Sequence, residues 1–318
     1  HKECNMRFLT ALSLFIGCLY ADISPRLMIE ASGNVQNIVL HGQNIVAGTS
    51  AGTLEMYKIS DASLVKKITF ETIKDFTGEA IAPKIFSVDA LEGSDTFLSV
   101  VQGSSGARKL VIIEKGVMRE LISERENLFI NKARFIDSNR VLIALMSNEL
   151  ILIDITSAQK RYQVQINPSH FSDFALNESK SLVATSCESG EITVSDVSTG
   201  KVLYVLSGGN VDNVYKVDFK NQKILCAGQD RRGIIYDTQS KSYERFDGSF
   251  LIYAGALSPS GNLGAFAFNE QNDIVIFDLL TKAKKHTLKG QKSTLNTIVF
   301  VNEKELVSGS DDQFILIW

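Results

Sequence analysis

A repeat of about 41 residues constrains this chain more than any other feature. Stepping back from Trp318 in strides of 41 lands on Phe277, Tyr236 and Ser195, and each closes a short apolar run: DIVIFD, RGIIYD and EITVSD. A stride of 42 then reaches Ile153 in ELILID, and another of 41 reaches Ile112 in KLVIIEK. The first copy ends at Tyr57 in TLEMYK, 55 residues before Ile112, so about a dozen residues are inserted there. Self-similarity at a fixed interval is the mark of repeat architecture, because no single unit can bury its own apolar faces.

The content of each unit says what the unit is. In the last copy Leu295, Ile298 and Phe300 form one run, Leu306 to Gly309 a second and Phe314 to Trp318 a third, with Asn302-Glu303-Lys304 and Ser310-Asp311-Asp312 between them. Short β-forming runs punctuated by turn residues predict strands. A period near 41 with four such runs predicts an all-β chain of seven four-stranded propeller blades. These blades begin near Val35, Lys84, Ile130, Phe171, Val214, Ile252 and Leu295. The seventh contains only three runs before Trp318. The segment 23–31, centred on Pro25-Arg26-Leu27-Met28-Ile29-Glu30, is therefore expected to supply its outer strand and close the ring, since an open blade would expose an unpaired edge. A second ladder of small residues lies ten positions before the landing points, at Ser308, Ala267, Cys226, Thr185 and Ala47. It is read as the wall of the central channel.

Residues 1–21 are read as a secretory leader: Arg7 precedes an apolar run from Phe8 to Tyr20, and Ala21 offers a small residue before Asp22. Met6 stands directly before that region and is read as the start. A buried first strand is the alternative. Lipoprotein processing with Cys18 acylated is another, although Phe15 suits its first position poorly. The apolar run is too short for a membrane span. Export makes residues 22–318 a periplasmic domain. Its Cys187 and Cys226 stand out of register on different blades, which argues against a bridge between them.

Chemistry is sparse. The acids after the third runs, Asp154, Asp196, Asp237 and Asp278, recur once per copy and read as turn caps, since a reactive site should break a repeat. His41, His170 and His286 fall in different copies, and no metal spacing, nucleophile elbow, phosphate loop or dinucleotide fingerprint occurs. The expectation is a monomeric, non-enzymatic ring with no catalytic, metal or cofactor site. The net charge of −3 speaks against nucleic acid. Partner contact is expected from the insertion, Glu71 to Pro83, which carries Ile73, Phe76 and Ile81 in an otherwise polar stretch. A long loop in a compact fold is often functional. Arg231 and Arg232 in a turn of blade five are weaker candidates on the same face, and the KAKK run, Lys282 to Lys285, reads as a solvated turn.

The SGSDD-x5-W string at Ser308 to Trp318 resembles the WD40 repeat, and the runs ending at Ser195, Tyr236 and Phe277, each followed by Asp, resemble degenerate WD dipeptides. That resemblance implies a scaffold holding protein partners. It also implies a structural network joining Gln291, Ser308, Asp312 and Trp318, with Gln291 standing where the family has His. An exported, degenerate ring of this length further resembles the accessory proteins encoded beside periplasmic nitrate reductase in some bacteria (the NapL type). The implied partners are reductase subunits, and the implied role is maturation or electron delivery. Two other readings stay open at this stage: a lactonase-like hydrolase acting at the channel, and an outer-membrane assembly factor that recognises extended strands.

Overall fold

A computed structural model describes residues 22–318. Residues 1–21, read above as a leader and including Cys18, lie outside those residues. The described chain is a seven-bladed β-propeller. Each blade is an antiparallel meander running from the axis outward. In blade one the strands are Val35–His41, Asn44–Thr49, Thr53–Lys58 and Leu64–Thr69. Blades two to six follow the same order, with inner strands Ile85–Ala90, Ile130–Phe135, Phe171–Leu176, Val214–Lys220 and Gly255–Leu257.

Burial explains the composition of the strands. Blades stack face to face, so the middle strands are covered on both sides and read as continuous apolar runs rather than alternating ones. Leu150, Ile151, Leu152 and Ile153 of blade three are all buried. The outer strand of the same blade, Lys160–Gln165, has one free edge and alternates exposed with half-buried. Seven apolar clusters result, one in each seam between neighbouring blades. The seam between blades seven and one is as apolar as the rest, with Ile29, Val307, Ile315 and Ile317 packed on Val35, Ile38 and Ile45.

Blade seven contains Leu295–Phe300, Leu306–Ser310 and Phe314–Ile317, and its outer strand is Leu27–Glu30 from the other end of the domain. Leu27 pairs with Ile317 and Glu30 with Phe314, antiparallel. The closing segment does more than complete one blade. Asp22–Ile23 adds a fifth strand to blade six, running parallel to its outer strand at Thr287 and Leu288. Pro25 stands between the two short strands, where it has no ladder hydrogen bond to give.

The channel wall corrects the sequence reading. Ala47, Thr185, Cys226, Ala267 and Ser308 lie on second strands, one strand out from the axis, and are buried in the seams. Space is tightest on the other side of these strands, where a second strand abuts the first strand of the next blade. A Cβ on Gly48 would stand 2.9 Å from both Ile85 and Val88, and one on Gly309 would stand 2.6 Å from Ile38. Cys187 and Cys226 are both buried free thiols, and burial pushes the Cys226 thiol far above its ordinary range.

Candidate functional site

The insertion is an ordered hairpin. Ile73–Lys74 pairs antiparallel with Ala80–Ile81. At its tip Asp75 Oδ1 accepts hydrogen bonds from the backbone N–H groups of Thr77 and Glu79 and from the Thr77 hydroxyl. Gly78 takes φ +88°, the left-handed geometry such a tip requires. Ile73, read as a contact residue, is buried and anchors the hairpin instead. Ile81 is half-buried across from it. Phe76 is held at the tip and is 98% exposed.

In an antiparallel meander, the loops entering each blade and the turns between second and third strands emerge at the same end. Phe76 therefore shares a face with three further exposed apolar side chains. Phe129 lies in the loop entering blade three, Met146 in the second turn of that blade, and Val211 in the loop entering blade five. These positions are braced. Met146 N–H donates to the Phe129 carbonyl at 2.9 Å. Asp230 Oδ2 accepts from Val211 N–H at 2.9 Å, and its Oδ1 accepts from the Asn210 amide at 2.9 Å. Arg231 is exposed on this face at φ +65°. Arg232 is half-buried and donates to the Gly209 carbonyl at 3.2 Å, so part of its role is to hold that loop. The composition of the first strands gave no hint of this braced apolar face, since its members are single residues scattered through polar loops.

Beneath this face the structural network closes. Ser308 Oγ donates to Gln291 Oε1 at 2.7 Å, Gln291 Nε2 donates to Ser310 Oγ at 2.7 Å, and Ser310 Oγ donates to Asp312 Oδ1 at 2.5 Å. Trp318 Nε1 donates to Ser308 Oγ at 2.8 Å. Ser310 is the member that sequence reading missed. It carries the link to Asp312.

The first strands share an apolar-x-x-apolar-x-apolar pattern: Val35, Ile38 and Leu40 in blade one, and Val214, Val217 and Phe219 in blade five. A β-bulge recurs between the first two apolar positions, for example between Val35 and Asn37 and between Val214 and Lys216. It re-aims the residue that follows. Those residues, Asn37, Ser87, Lys132, Asp173, Lys216 and Thr297, line a channel of about 340 Å³. Most of them stitch one blade to the next. Asn37 Oδ1 accepts from Val88 N–H at 3.0 Å, Ser87 Oγ from Ala133 N–H at 3.2 Å, and Asp173 Oδ2 from Val217 N–H at 3.0 Å. Lys132 Nζ donates to Asp173 Oδ1 at 2.8 Å and to the Phe174 carbonyl at 2.6 Å.

The electrostatics follow from burial. Removal from water drops the Lys132 ammonium to about 8, with Asp173 opposing the fall and Arg134 and Lys216 adding to it. Burial works against the ionised Asp173, but Lys132, Lys216 and the bonds it accepts together hold its carboxyl below the ordinary range.

The repeated acids cap turns. Asp278 Oδ1 accepts from Leu280 and Thr281 N–H, and Asp154, Asp196 and Asp237 accept in the same way. Among the described residues no group of three His, Cys, Asp or Glu side chains comes together as a metal set, and no helix is long and apolar enough to cross a membrane. No known protein family matches this chain, and no curated protein matches it either.

Proposed function

We propose that this propeller is a non-catalytic, exported interaction scaffold that engages a protein partner through the face carrying Phe76, Phe129, Met146 and Val211. The single observation behind the reading is Phe76, a large aromatic side chain held 98% exposed on a hairpin whose tip is internally hydrogen-bonded. Exposing an aromatic ring on a stiff support costs solubility and is repaid when a partner covers it. Aromatic anchors of this kind dominate binding energy at interfaces. The loops beside it are pinned by backbone and carboxylate hydrogen bonds, so little ordering entropy is lost on docking.

The resemblance to WD40 rings supports the scaffold reading, and the Gln291–Ser308–Trp318 chain of hydrogen bonds adds to that likeness. The leader-like segment at 1–21 supports a periplasmic address. Within that address the partner we favour is periplasmic nitrate reductase, with the ring assisting its maturation or electron delivery as a monomer.

The test is affinity capture from periplasm of cells grown with and without nitrate, using the tagged protein and its Phe76→Ser/Met146→Ser variant. Reductase subunits should enrich on the parent protein and be lost from the variant, with melting unchanged. No enrichment on the parent rejects the reductase. Equal enrichment on the variant rejects this face.

A further inference from the structure

Around the axis four of the bulged residues, Asn37, Ser87, Lys132 and Asp173, reach toward the next blade, and Lys216 and Thr297 do not. From blade five to blade six the stitch is made two residues later, by Asp218 Oδ2 accepting from Leu257 N–H at 2.8 Å. Blade six has a three-residue inner strand, Gly255–Leu257, with no bulge against its second strand. Lys216 is thereby relieved of the structural task its counterparts perform. Among the described residues it has no hydrogen-bond or ion-pair partner, although its charge is felt by Lys132 and Asp173.

The charges that line this channel do not balance. Lys132, Arg134, Lys216 and Lys220 face Asp173 and Asp218 within one cavity, in a chain whose net charge is −3. Both carboxylates are occupied: Asp173 by Lys132 and Val217 N–H, Asp218 by Leu257 and Phe219 N–H and by Lys220, whose Nζ stands 3.7 Å from Oδ1. Arg134 is spent on the Val88 and Ala133 carbonyls and Ser87. The surplus positive charge thus resides on Arg134, whose donors are taken, and on Lys216, an ammonium with free donors, in a walled cleft where low dielectric strengthens the field. The same lining carries apolar side chains, Val39, Leu257 and Val299 among them.

We propose that the central channel binds a small oxyanion, a carboxylate or phosphate group, on the ammonium of Lys216, with Lys132 beside it and the apolar side chains of the lining available to the rest of the ligand. The site is independent of the partner-binding face, so either assignment can fail without the other. The shared chemistry is a compact anionic oxygen pair or triad accepting charge-assisted hydrogen bonds.

Isothermal titration of the 22–318 protein, dialysed free of both anions, with inorganic phosphate and separately with acetate tests it. At least one should bind saturably with one site per chain, and the tighter of the two names the natural group. Lys216→Met should weaken that binding about tenfold or more, the value of one charge-assisted hydrogen bond. Lys216→Arg should keep it within about threefold, since the charge is retained. Unchanged melting of both variants confirms that the ring is intact, as expected for a residue that stitches nothing. No saturable binding of either anion, or equal binding by Lys216→Met, overturns the proposal.

Discussion

Gln291 uses both ends of its amide: the oxygen accepts from Ser308 and the nitrogen donates to Ser310, in a place that is almost fully buried. A leucine there would fill similar space but take one hydrogen-bond partner from each of two buried hydroxyls. Gln291→Leu should cost about 2 kcal/mol, the loss of two buried hydrogen bonds. Urea denaturation measures it, and a change inside about 0.5 kcal/mol, the range of neutral surface changes, would reject the network as a source of stability. Lys132 makes a different demand. Its ammonium is lowered from 10.5 to about 8 by burial. Between those values the unfolded chain holds a proton that the folded one has released, so stability rises with pH across that window. The groups facing it are Arg134 on its own strand, Asp173 on blade four and Lys216 on blade five. Relative to Lys132→Arg, which stays charged throughout, the parent protein should gain on the order of 2 kcal/mol from pH 8 to 10. A pH-independent difference between the two proteins would contradict the burial of that charge. Below the ordinary carboxylate value of 3.8 the same sign applies: backbone hydrogen bonds lower Asp237 and Asp278, and the stability they lend is lost as the pH falls and acid protonates them.

Outer strands differ in how they guard their edges. Blade one presents Leu64–Thr69 with Lys66 and Lys67, and blade three presents Lys160–Gln165 with Lys160 and Arg161. Blade four presents Val202–Leu206, VLYVL, with no charge at all, and Val202, Leu203 and Val205 are exposed. An uncharged, apolar free edge is a template for strand addition. Leu203→Lys should leave the melting temperature within about 2 °C, as an exposed change does, and should suppress light scattering during heating. Scattering that matches the parent would place the aggregation-prone edge elsewhere. The strand count, the insertion and the closing strand were legible in the sequence because middle strands are apolar on both faces, and that pattern survives without an alignment. The channel was not. Its residues fall at the x positions between apolar ones in the first strands, and the bulge that turns Lys132, Asp173 and Lys216 inward breaks the two-residue alternation a reader relies on. The hairpin and the parallel strand at Asp22–Ile23 were missed as strands because two-residue pairings carry no periodicity.

The ring as a whole is held shut by its most distant contacts in sequence. Six blades draw their four meander strands from contiguous chain, with Asp22–Ile23 added to the sixth, but blade seven is complete only when Leu27–Glu30 meets Phe314–Ile317. The junction is sealed by Arg26 N–H on the Ile317 carbonyl at 2.7 Å, Ala31 N–H on the Gln313 carbonyl at 2.7 Å, and Ile29 buried among Ile38, Val307 and Ile315. Bringing those segments together pays the largest loop-closure entropy in the molecule before any contact rewards it. Closure therefore comes after the barrier to folding, and its contacts should act on unfolding rather than folding. Ile29→Ala should cost about 3 kcal/mol by opening a cavity in that seam, and nearly all of it should appear as faster unfolding in stopped-flow experiments. Deleting residues 23–31 should go further, lowering the melting temperature by roughly 10 °C or more and broadening the transition, because blade seven then has a free edge and the seam to blade one loses Ile29. If Ile29→Ala instead slowed folding and left unfolding untouched, the ring would be closing first and the local meanders would be condensing around it. A deletion variant that melted like the parent would mean that the seven seams hold the circle without the strand that joins its ends.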